Sequence, residues 1–264
     1  MLRTMKRALL VALLAACQAG ASDGYPSRPG GIGPILIGPG TTRDAGIGDG
    51  DLGDGGDNDG GVPVAGRVCV VSDMRKPTAC IDPGAAGLTV SLGTGRGTTN
   101  MDGTFRFVAP LGSGFTWHVT GPGFIPSVMP FGTDNTIPVL TETTYMGLLI
   151  NNDGQVLDED HGSIVVRVVS GTVAVAGVTA TVSPLADSLT YYDNGAPNSS
   201  TVWNTNATQT FGVVWVPSAP LPTPQLPGPT TVTLTKVDGT TTRTAKATAT
   251  VESRSITFVT QTLP

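Results

Sequence analysis

The sequence predicts an all-β protein, with two β-sandwich modules in tandem after a signal peptide and a disordered tether rich in Gly and Asp. Two observations support this fold class. Gly (36) and Pro (21) are frequent among the 264 residues, while charged residues make up only 13%, which favours short strands joined by turns over helices. Apolar residues also alternate with polar ones, at the period of a half-buried strand, in segments spread along the chain.

The first sixteen residues have the three-part order of a secretory signal peptide. Arg3, Lys6 and Arg7 form a basic start, and an uninterrupted apolar run follows over Ala8–Ala16. As a helix, this run would span only about 13 Å, which is too short for the roughly 30 Å hydrocarbon core of a bilayer. We therefore expect residues 1–16 to be a signal peptide that is removed and takes no part in the fold.

The apolar run ends in Leu14-Ala15-Ala16-Cys17, which resembles the bacterial lipobox. The resemblance implies that Cys17 is lipidated, palmitate being one of the acyl chains, and becomes the first residue of the mature protein. Two buried acyl chains are enough for stable membrane attachment. Gln18 follows instead of Asp, and similarity to Gram-negative lipoproteins then favours the outer membrane, on its periplasmic or its surface face. The alternative is an ordinary signal peptide followed by a chance Cys.

Residues 17–61 are predicted to form a lipid-anchored, flexible tether. The segment Asp44–Gly61 is almost entirely Gly and Asp, and it offers too little apolar surface to offset the entropy lost on ordering. Its Asp residues also suggest a calcium loop, but an EF-hand needs a Glu twelve residues from its first Asp, and flanking helices, and neither is present. A solvated acidic spacer with no specific metal is therefore the expected role.

Removal of the signal peptide makes the chain more acidic. Three basic residues are lost, which leaves 12 Lys and Arg against 20 Asp and Glu and moves the formal net charge from −5 to −8. Nucleic-acid binding depends on neutralising phosphates with basic side chains, so no nucleic-acid partner is expected. The expected partners are the membrane, through the lipid anchor, and a glycan or an envelope protein.

The chain after the tether repeats itself, which predicts two related modules at 62–143 and 145–264. Three strand segments of the first module have counterparts in the second: Ala86–Leu92 with Ala176–Val182, Thr104–Val108 with Thr210–Val214, and Thr116–Thr120 with Thr231–Thr235. The alternation of Phe211, Val213 and Trp215 favours a buried position for Trp215. Since nothing after the signal peptide shows helical periodicity, no helix is expected.

Cys69 and Cys80 remain as a pair if Cys17 carries a lipid. An exported compartment permits disulfides, and a bridge that closes so short a loop is worth about 3 kcal/mol in the chain-entropy model. A metal site is the alternative, but the spacing of the two Cys, with no His nearby, does not match zinc-ligand patterns. The sequence therefore favours a Cys69–Cys80 disulfide.

The first module resembles the carboxypeptidase regulatory-like domain. The resemblance depends on Gly66–Val71, Ala86–Val90, the turn Thr99–Phe107 with its T-x-x-D-G-x-F pattern, and Gly121–Phe124. It implies a seven-stranded Ig-like sandwich, similar to transthyretin and to the B-type repeats of collagen adhesins. The second module matches less well, because we read Trp203–Thr208 in place of the patterned turn.

Relatives among the collagen-adhesin repeats carry a Lys on the first strand that forms an isopeptide bond with an Asn. Here the corresponding strands carry Arg67 and Arg167. Arginine stays protonated and cannot act as the nucleophile, so we expect no such cross-link.

The two His residues offer no clear chemistry. His118 is predicted to lie on the outward face of the Phe115–Val119 strand, in solvent. His161 follows Asp158, Glu159 and Asp160, where a metal site is conceivable, but a polar turn is favoured. No nucleophile elbow, zinc-protease motif or phosphate-binding loop is present, so we predict no catalytic residue, no metal and no cofactor.

Aromatic residues of the second module provide one hypothesis for a ligand site. Four candidate residues lie close in the sequence to Asn194 and Asn198: they are Tyr191, Tyr192, Asp193 and Trp203. If exposed, the rings could stack on a sugar while the polar groups bind its hydroxyls. The alternative is that the rings fill the core.

Two function classes remain after these arguments. The first is a non-enzymatic lipoprotein of the cell envelope that displays its sandwiches for binding or spacing. The second is a carbohydrate-binding or accessory subunit of an envelope hydrolase. The absence of catalytic motifs favours the first class, since a resemblance in fold specifies no chemistry.

Overall fold

Sixteen β-strands and one α-helix make up the part of the chain that the structure describes. The computed structural model describes residues 61–82, 84–110, 114–132, 135–152, 157–221 and 226–264, all of which belong to one compact unit. The predicted signal peptide, Cys17 and the tether up to residue 60 lie outside the described residues. The prediction of a mainly β protein is confirmed.

Most strands towards the N-terminal end are short, and the longest strands lie towards the C-terminal end. In chain order the elements are β1 (Val62–Val70), β2 (Thr89–Leu92), β3 (Gly95–Thr98), β4 (Thr104–Ala109), β5 (Thr116–Thr120), β6 (Ser127–Pro130), β7 (Thr136–Val139), α1 (Glu142–Asn152), β8 (His161–Ser170), β9 (Val173–Ala174), β10 (Val178–Ser183), β11 (Tyr191–Asp193), β12 (Trp203–Asn204), β13 (Val213–Pro220), β14 (Gly228–Asp238), β15 (Thr241–Val251) and β16 (Ile256–Thr262). We call residues 62–143 the first half and residues 145–264 the second half.

The first half contains one small sheet and the end of a larger sheet, and these enclose an apolar core. The small sheet has the order β4-β1-β7, and the strands β3-β2-β5-β6 form the end of the larger one. Side chains alternate along these strands as the sequence pattern predicts: Trp117 and Val119 of β5 are buried, while Thr120 is exposed. Phe105 of β4 packs against Trp117 across the sandwich, with their ring centroids 5.3 Å apart. The alternation therefore places one face of each sheet in this core.

The second half repeats the strand pairing of the first. β8 lies between β13 and β16 as β1 lies between β4 and β7, with one antiparallel and one parallel neighbour in each case. Thr89 of β2 is opposite Thr120 of β5, and Thr179 of β10 is opposite Thr235 of β14. The second pair is the counterpart of the first under the repeat that matches Thr116–Thr120 with Thr231–Thr235.

Hydrogen bonds between one threonine hydroxyl and the backbone in each half show how the repeat aligns. Thr99 Oγ1 accepts from the Leu88 amide at 2.9 Å and donates to the Ala85 carbonyl at 2.7 Å. Thr208 Oγ1 makes the same two contacts, accepting from the Val178 amide at 2.9 Å and donating to the Val175 carbonyl at 2.8 Å. The segment from Leu88 to Thr99 is much shorter than the segment from Val178 to Thr208, yet both end in the same arrangement of hydrogen bonds.

The turns that follow these threonines require glycine at the same place. Gly103 and Gly212 have positive φ angles of 80° and 64°, and a Cβ on either would lie within 2.7 Å of a backbone oxygen. The counterpart of the Thr99–Phe105 turn is therefore the segment Thr208–Val214, not Trp203–Thr208. The predicted match of Phe105 with Phe211 was three residues out of register, because Phe211 occupies the position of Asp102.

A single sheet continues from the first half into the second. β16 pairs in parallel with β8 along its whole length, and through Ile256 and Thr257 it also pairs in parallel with β6. The strand order across this sheet is β12-β11-β13-β8-β16-β6-β5-β2-β3. Strand pairing therefore extends across the predicted boundary between the modules.

A buried cluster that draws on both halves reinforces this connection. We call it the joint core; its members are Cys69, Val71, Met74, Ile125, Leu140, Tyr145, Leu148, Leu149, Val165, Tyr191, Trp203, Val213, Trp215, Ile256 and Phe258. The prediction that Trp215 is buried is confirmed, since its exposure is 0%.

The expectation that the chain has no helix after the signal peptide is wrong, because α1 begins at the end of the first half and continues into the second. Thr141 caps this helix, since its Oγ1 accepts from the Thr144 amide at 3.2 Å. Tyr145, Leu148 and Leu149, at helical spacing, cover the joint core. This apolar stripe is short, and Gly147 and two exposed or partly exposed Thr residues interrupt the pattern, so the helix depends on packing more than on propensity.

Candidate functional site

The four residues predicted to contact a ligand are buried in the second half. Tyr191 and Tyr192 of β11 are each 5% exposed, Trp203 of β12 is 7% exposed and Asp193 is fully buried. Tyr191 and Trp203 both pack on Trp215, with ring centroids 5.5 and 5.2 Å apart. A sugar could stack on these rings only if β11 and β12 left the joint core.

Hydrogen bonds fix the aromatic residues in these positions. The Tyr191 hydroxyl donates to the carbonyl of Asn152 at 2.8 Å, and the Trp203 amide donates to the Asn152 Oδ1 at 3.3 Å. The Tyr192 hydroxyl accepts from the Ala180 amide at 2.9 Å, and burial raises the pKa of this hydroxyl. The rings therefore attach the end of α1 and strand β10 to the hairpin β11–β12.

Asp193 organises the turn that leads into β13. Its Oδ2 accepts from the amides of Gln209 and Val213 at 3.0 Å each, and its Oδ1 accepts from the Phe211 amide at 3.1 Å. Hydrogen bonds from backbone amides to a carboxylate are about twice as strong as neutral ones. With its oxygens occupied in this way and no exposed surface, Asp193 has a structural role.

The predicted disulfide between Cys69 and Cys80 is confirmed. It closes a loop whose side chains point into the protein: Met74 is fully buried and Arg75 is only 1% exposed. Met74 belongs to the joint core. The disulfide loop of the first half thus contributes directly to the contact with the second half.

Arg75 connects the disulfide loop to the second half. Its Nε and Nη2 donate to the two carboxylate oxygens of Asp73 at 2.9 Å, and its Nη1 donates to the Ala196 carbonyl at 2.9 Å and to Asn194. Its guanidinium also lies 5.0 Å from the centre of the Phe211 ring. This combination satisfies a buried cation, which would otherwise be strongly unfavourable.

Both His residues contact carboxylates. His118 is partly exposed, and its Nδ1 lies 3.3 Å from Glu252 of the second half. His161 begins β8, and its two ring nitrogens lie 2.5 Å from Asp158 and 2.6 Å from Asp187. The described residues contain no group of three or more His, Cys, Asp or Glu arranged to hold a metal ion.

These contacts raise the pKa of both imidazole rings. The hydrogen bond with Glu252 raises the pKa of His118 above its ordinary value, against the opposite effect of partial burial. Burial lowers the pKa of His161, but the hydrogen bonds with Asp187 and Asp158 outweigh it, so this pKa is also raised. Each ring therefore keeps its proton to a higher pH than an ordinary imidazole, and in the protonated form it links chain segments through an ion pair.

An open groove lies where the joint core reaches the surface. We call it the joint groove; it has a volume of about 370 Å³. Its lining includes Val165 and Arg167 of β8 and Phe258 of β16, together with Pro77 of the disulfide loop, Met129 of β6 and Phe131 just after β6. Chain segments from both halves therefore shape this groove.

Arg167 is the one charged residue that lines the joint groove among the described residues. It is partly buried and opposite Thr260 in the parallel pairing of β8 and β16. Within the described part of the chain its guanidinium has no hydrogen bond, ion pair or ring contact. The sequence shows this residue as a lone Arg inside the apolar run Ile164–Val169, but reasoning from the sequence did not propose it as a site.

No protein-family model matches the chain, and no curated protein matches it either. Within the described residues, no helix has the length and apolar character needed to cross a membrane. We therefore infer the function from the geometry of the two halves and from the sequence of the N-terminal segment.

Proposed function

We propose that the protein is a non-enzymatic lipoprotein of the cell envelope that holds a stiff pair of β-sandwiches away from the membrane, for binding or spacing. The lipobox-like sequence at Cys17 supplies the anchor, and the Gly- and Asp-rich segment up to residue 61 supplies the reach. The two halves supply the body that is displayed.

The joint between the halves is the observation that carries this proposal. Independent domains on a linker can reorient, because interfaces within a chain are commonly small and polar. Here β16 pairs with strands of both halves, and the joint core buries large side chains from each of them. A body joined in this way transmits position and orientation, as a spacer or a display platform must.

We further propose that each half is a carboxypeptidase regulatory-like, Ig-like sandwich. The shared strand pairing supports this, together with the equivalent threonine motifs at Thr99 and Thr208. The helix α1 and the hairpin β11–β12 are then additions that build the joint. Domains of this kind serve many functions, so the fold itself names no ligand.

Metabolic labelling tests the anchor. Cells that express the full chain are grown with labelled palmitate, and we expect label on the wild-type protein and none on Cys17→Ala. The variant Cys80→Ala is the matched control, because it also removes one Cys but should retain the label. An unlabelled wild-type protein would refute the lipoprotein assignment.

Sedimentation with isolated peptidoglycan and other envelope glycans separates the proposal from the alternative of a hydrolase accessory subunit. Saturable retention on a glycan would favour the alternative. We expect the wild-type chain to stay in the supernatant, because the aromatic residues that could stack on sugars at Tyr191 and Trp203 are buried.

A further inference from the structure

We propose that the joint groove binds a small monocarboxylate with an apolar body, and that Arg167 holds the carboxylate. This inference goes beyond the proposed function and does not depend on the lipid anchor. It follows from a lining cation that has no partner among the described residues, from apolar lining side chains and from a volume suited to a small ligand.

The unpaired guanidinium is the first argument. Buried or partly buried arginines in proteins are usually paired, because removing a cation from water is unfavourable. Arg75 shows this within the same chain, since every nitrogen of its guanidinium has a partner. Arg167 is partly buried among the strands of the large sheet and has no partner among the described residues. Its guanidinium nitrogens are not among the buried atoms that lack a partner, so they reach solvent and can receive an anion from outside the chain.

The walls of the groove indicate what the rest of the ligand must be. Phe131 is a large apolar side chain with 43% of its surface exposed. Its ring is held in place by Trp117, with the two ring centroids 5.6 Å apart. Met129, Pro77 and Phe258 add further apolar side chains to the lining. An apolar group bound here would remove these side chains from water, which provides a favourable term of about 25 cal/mol per Å².

Charge and size restrict the class of ligand further. The groove offers one cation and no carboxylate among its described lining residues, which suits a single negative charge better than a phosphate dianion. An Arg fork pairs with a planar carboxylate through two parallel hydrogen bonds. A volume of about 370 Å³ lies at the lower end of the range for small-molecule pockets. A monocarboxylate with a compact apolar or aromatic group meets all three conditions.

The first experiment compares two probes that differ only in charge. The full chain carries Cys17→Ser, so that no covalent lipid competes, and is titrated by two-dimensional NMR with 4-phenylbutyrate and with its neutral amide. We expect the acid to bind saturably with a Kd of about 1 mM, as ligand efficiency allows for a molecule of this size. The amide should bind about tenfold more weakly, because it cannot form the charge-assisted pair.

Two variants locate the site. Arg167→Met keeps an extended side chain without the charge and should remove the preference for the acid over the amide. Arg106→Met is the matched control, since Arg106 is an exposed Arg on strand β4, outside the groove, and its variant should retain the tenfold preference. Phe131→Ala should weaken the binding of both probes. The amide resonances that shift on titration should include those of Phe258 and Thr260.

Three outcomes would overturn the proposal. The first is equal affinity for the acid and the amide in the wild-type chain, a comparison that needs no variant and is unaffected if Arg167→Met fails to fold. The second is no saturable binding of either probe at up to about ten times the expected Kd. The third is an acid preference that survives in folded Arg167→Met. None of these outcomes bears on labelling at Cys17, so failure of the groove and failure of the anchor are distinguishable.

Discussion

The two halves form the turn before β4 and the turn before β13 with the same backbone, but they stabilise it with different side chains. In the first half the turn stabilises itself: Asp102 accepts from the amide and hydroxyl of Thr104, and this lowers the pKa of its exposed carboxyl. In the second half Phe211 occupies the position of Asp102, and Asp193 reaches across from β11 to hold the same turn from inside.

This exchange shows how a surface turn becomes a contact between halves. Once the turn is held from inside, its outer position is free to carry an aromatic ring. Two cationic side chains of the disulfide loop, Arg75 and Lys76, then lie over the ring of Phe211, each 5.0 Å from its centroid. Such contacts are favourable by about 0.5–2 kcal/mol, depending on desolvation. The divergence of the repeat therefore strengthens the joint instead of weakening the fold.

The largest effect is expected from removing the internal support of the second turn. Asp193→Ala leaves three amides without this acceptor, one of them buried and two partly buried. Each such loss is unfavourable by about 1–3 kcal/mol when the amide is buried, so we expect the free energy of unfolding to fall by about 4 kcal/mol. Asp102→Ala is the matched control in the first half, and its effect should be much smaller, because water can replace an exposed carboxyl. Urea denaturation followed by circular dichroism measures both. Similar losses for the two variants would contradict the comparison.

The next effect concerns the cation that joins the halves. Arg75→Met removes the pairing with Asp73, the contacts with Asn194 and Ala196, and the contact with Phe211; breaking a buried pair of this kind is unfavourable by about 3 kcal/mol. Lys76→Met removes only the partly exposed neighbour and should change the stability by less than about 1 kcal/mol. Calorimetry should show one transition for the wild-type chain and a broader or divided transition for Arg75→Met. A single sharp transition at unchanged temperature in Arg75→Met would mean that the halves are held together by other contacts.

Local patterns in the sequence were sufficient for many of the strands and for some of the equivalences between the two halves. The alternation around Trp117 predicts β5, and the repeat of Thr116–Thr120 at Thr231–Thr235 matches β5 with its counterpart β14, because strand periodicity and repeated spacing are properties of adjacent residues. The Cys69–Cys80 disulfide could be inferred for a similar reason, since the even number of Cys left after the lipobox is visible without a structure.

The joint could not be predicted, because it depends on residues far apart in the chain. Arg75 bonds to residues about 120 positions away, and nothing in its local sequence distinguishes it from a surface Arg. Tyr191 and Trp203 could be read as exposed or buried, and Trp215 and α1, which bury them, decide between these readings. The exposed or buried state of an aromatic residue between short strands is a property of the tertiary fold.

A somewhat smaller effect is expected from reducing the disulfide. The chain-entropy model gives about 2.7 kcal/mol for a loop that closes over Cys69–Cys80. Reduction with dithiothreitol should therefore lower the free energy of unfolding of the wild-type chain by that amount. The double variant Cys69→Ala, Cys80→Ala should be insensitive to the reductant and close to the reduced wild type. If reduction leaves the stability unchanged, the buried Met74 and Arg75 hold the loop in place without the covalent bond.

The smallest effect distinguishes the two His residues by pH. His161 has a raised pKa because its hydrogen bonds with Asp187 and Asp158 outweigh burial, so its contribution to stability is complete below the unfolded pKa of about 6.5 and is lost as the pH rises through the higher folded value. Denaturation midpoints from about pH 5.5 to 8.5, where the carboxylates stay ionised, should therefore fall with rising pH. His161→Gln should remove part of that fall, by about 1 kcal/mol or less. His118→Gln should remove less, because His118 has a single carboxylate partner at a longer distance and is more exposed. The opposite result would be that His118→Gln removes the larger part of the pH dependence. The contact between β5 and Glu252 would then contribute more to the free energy of unfolding than the turn at His161. The contact between the halves would then extend along the large sheet beyond the joint core.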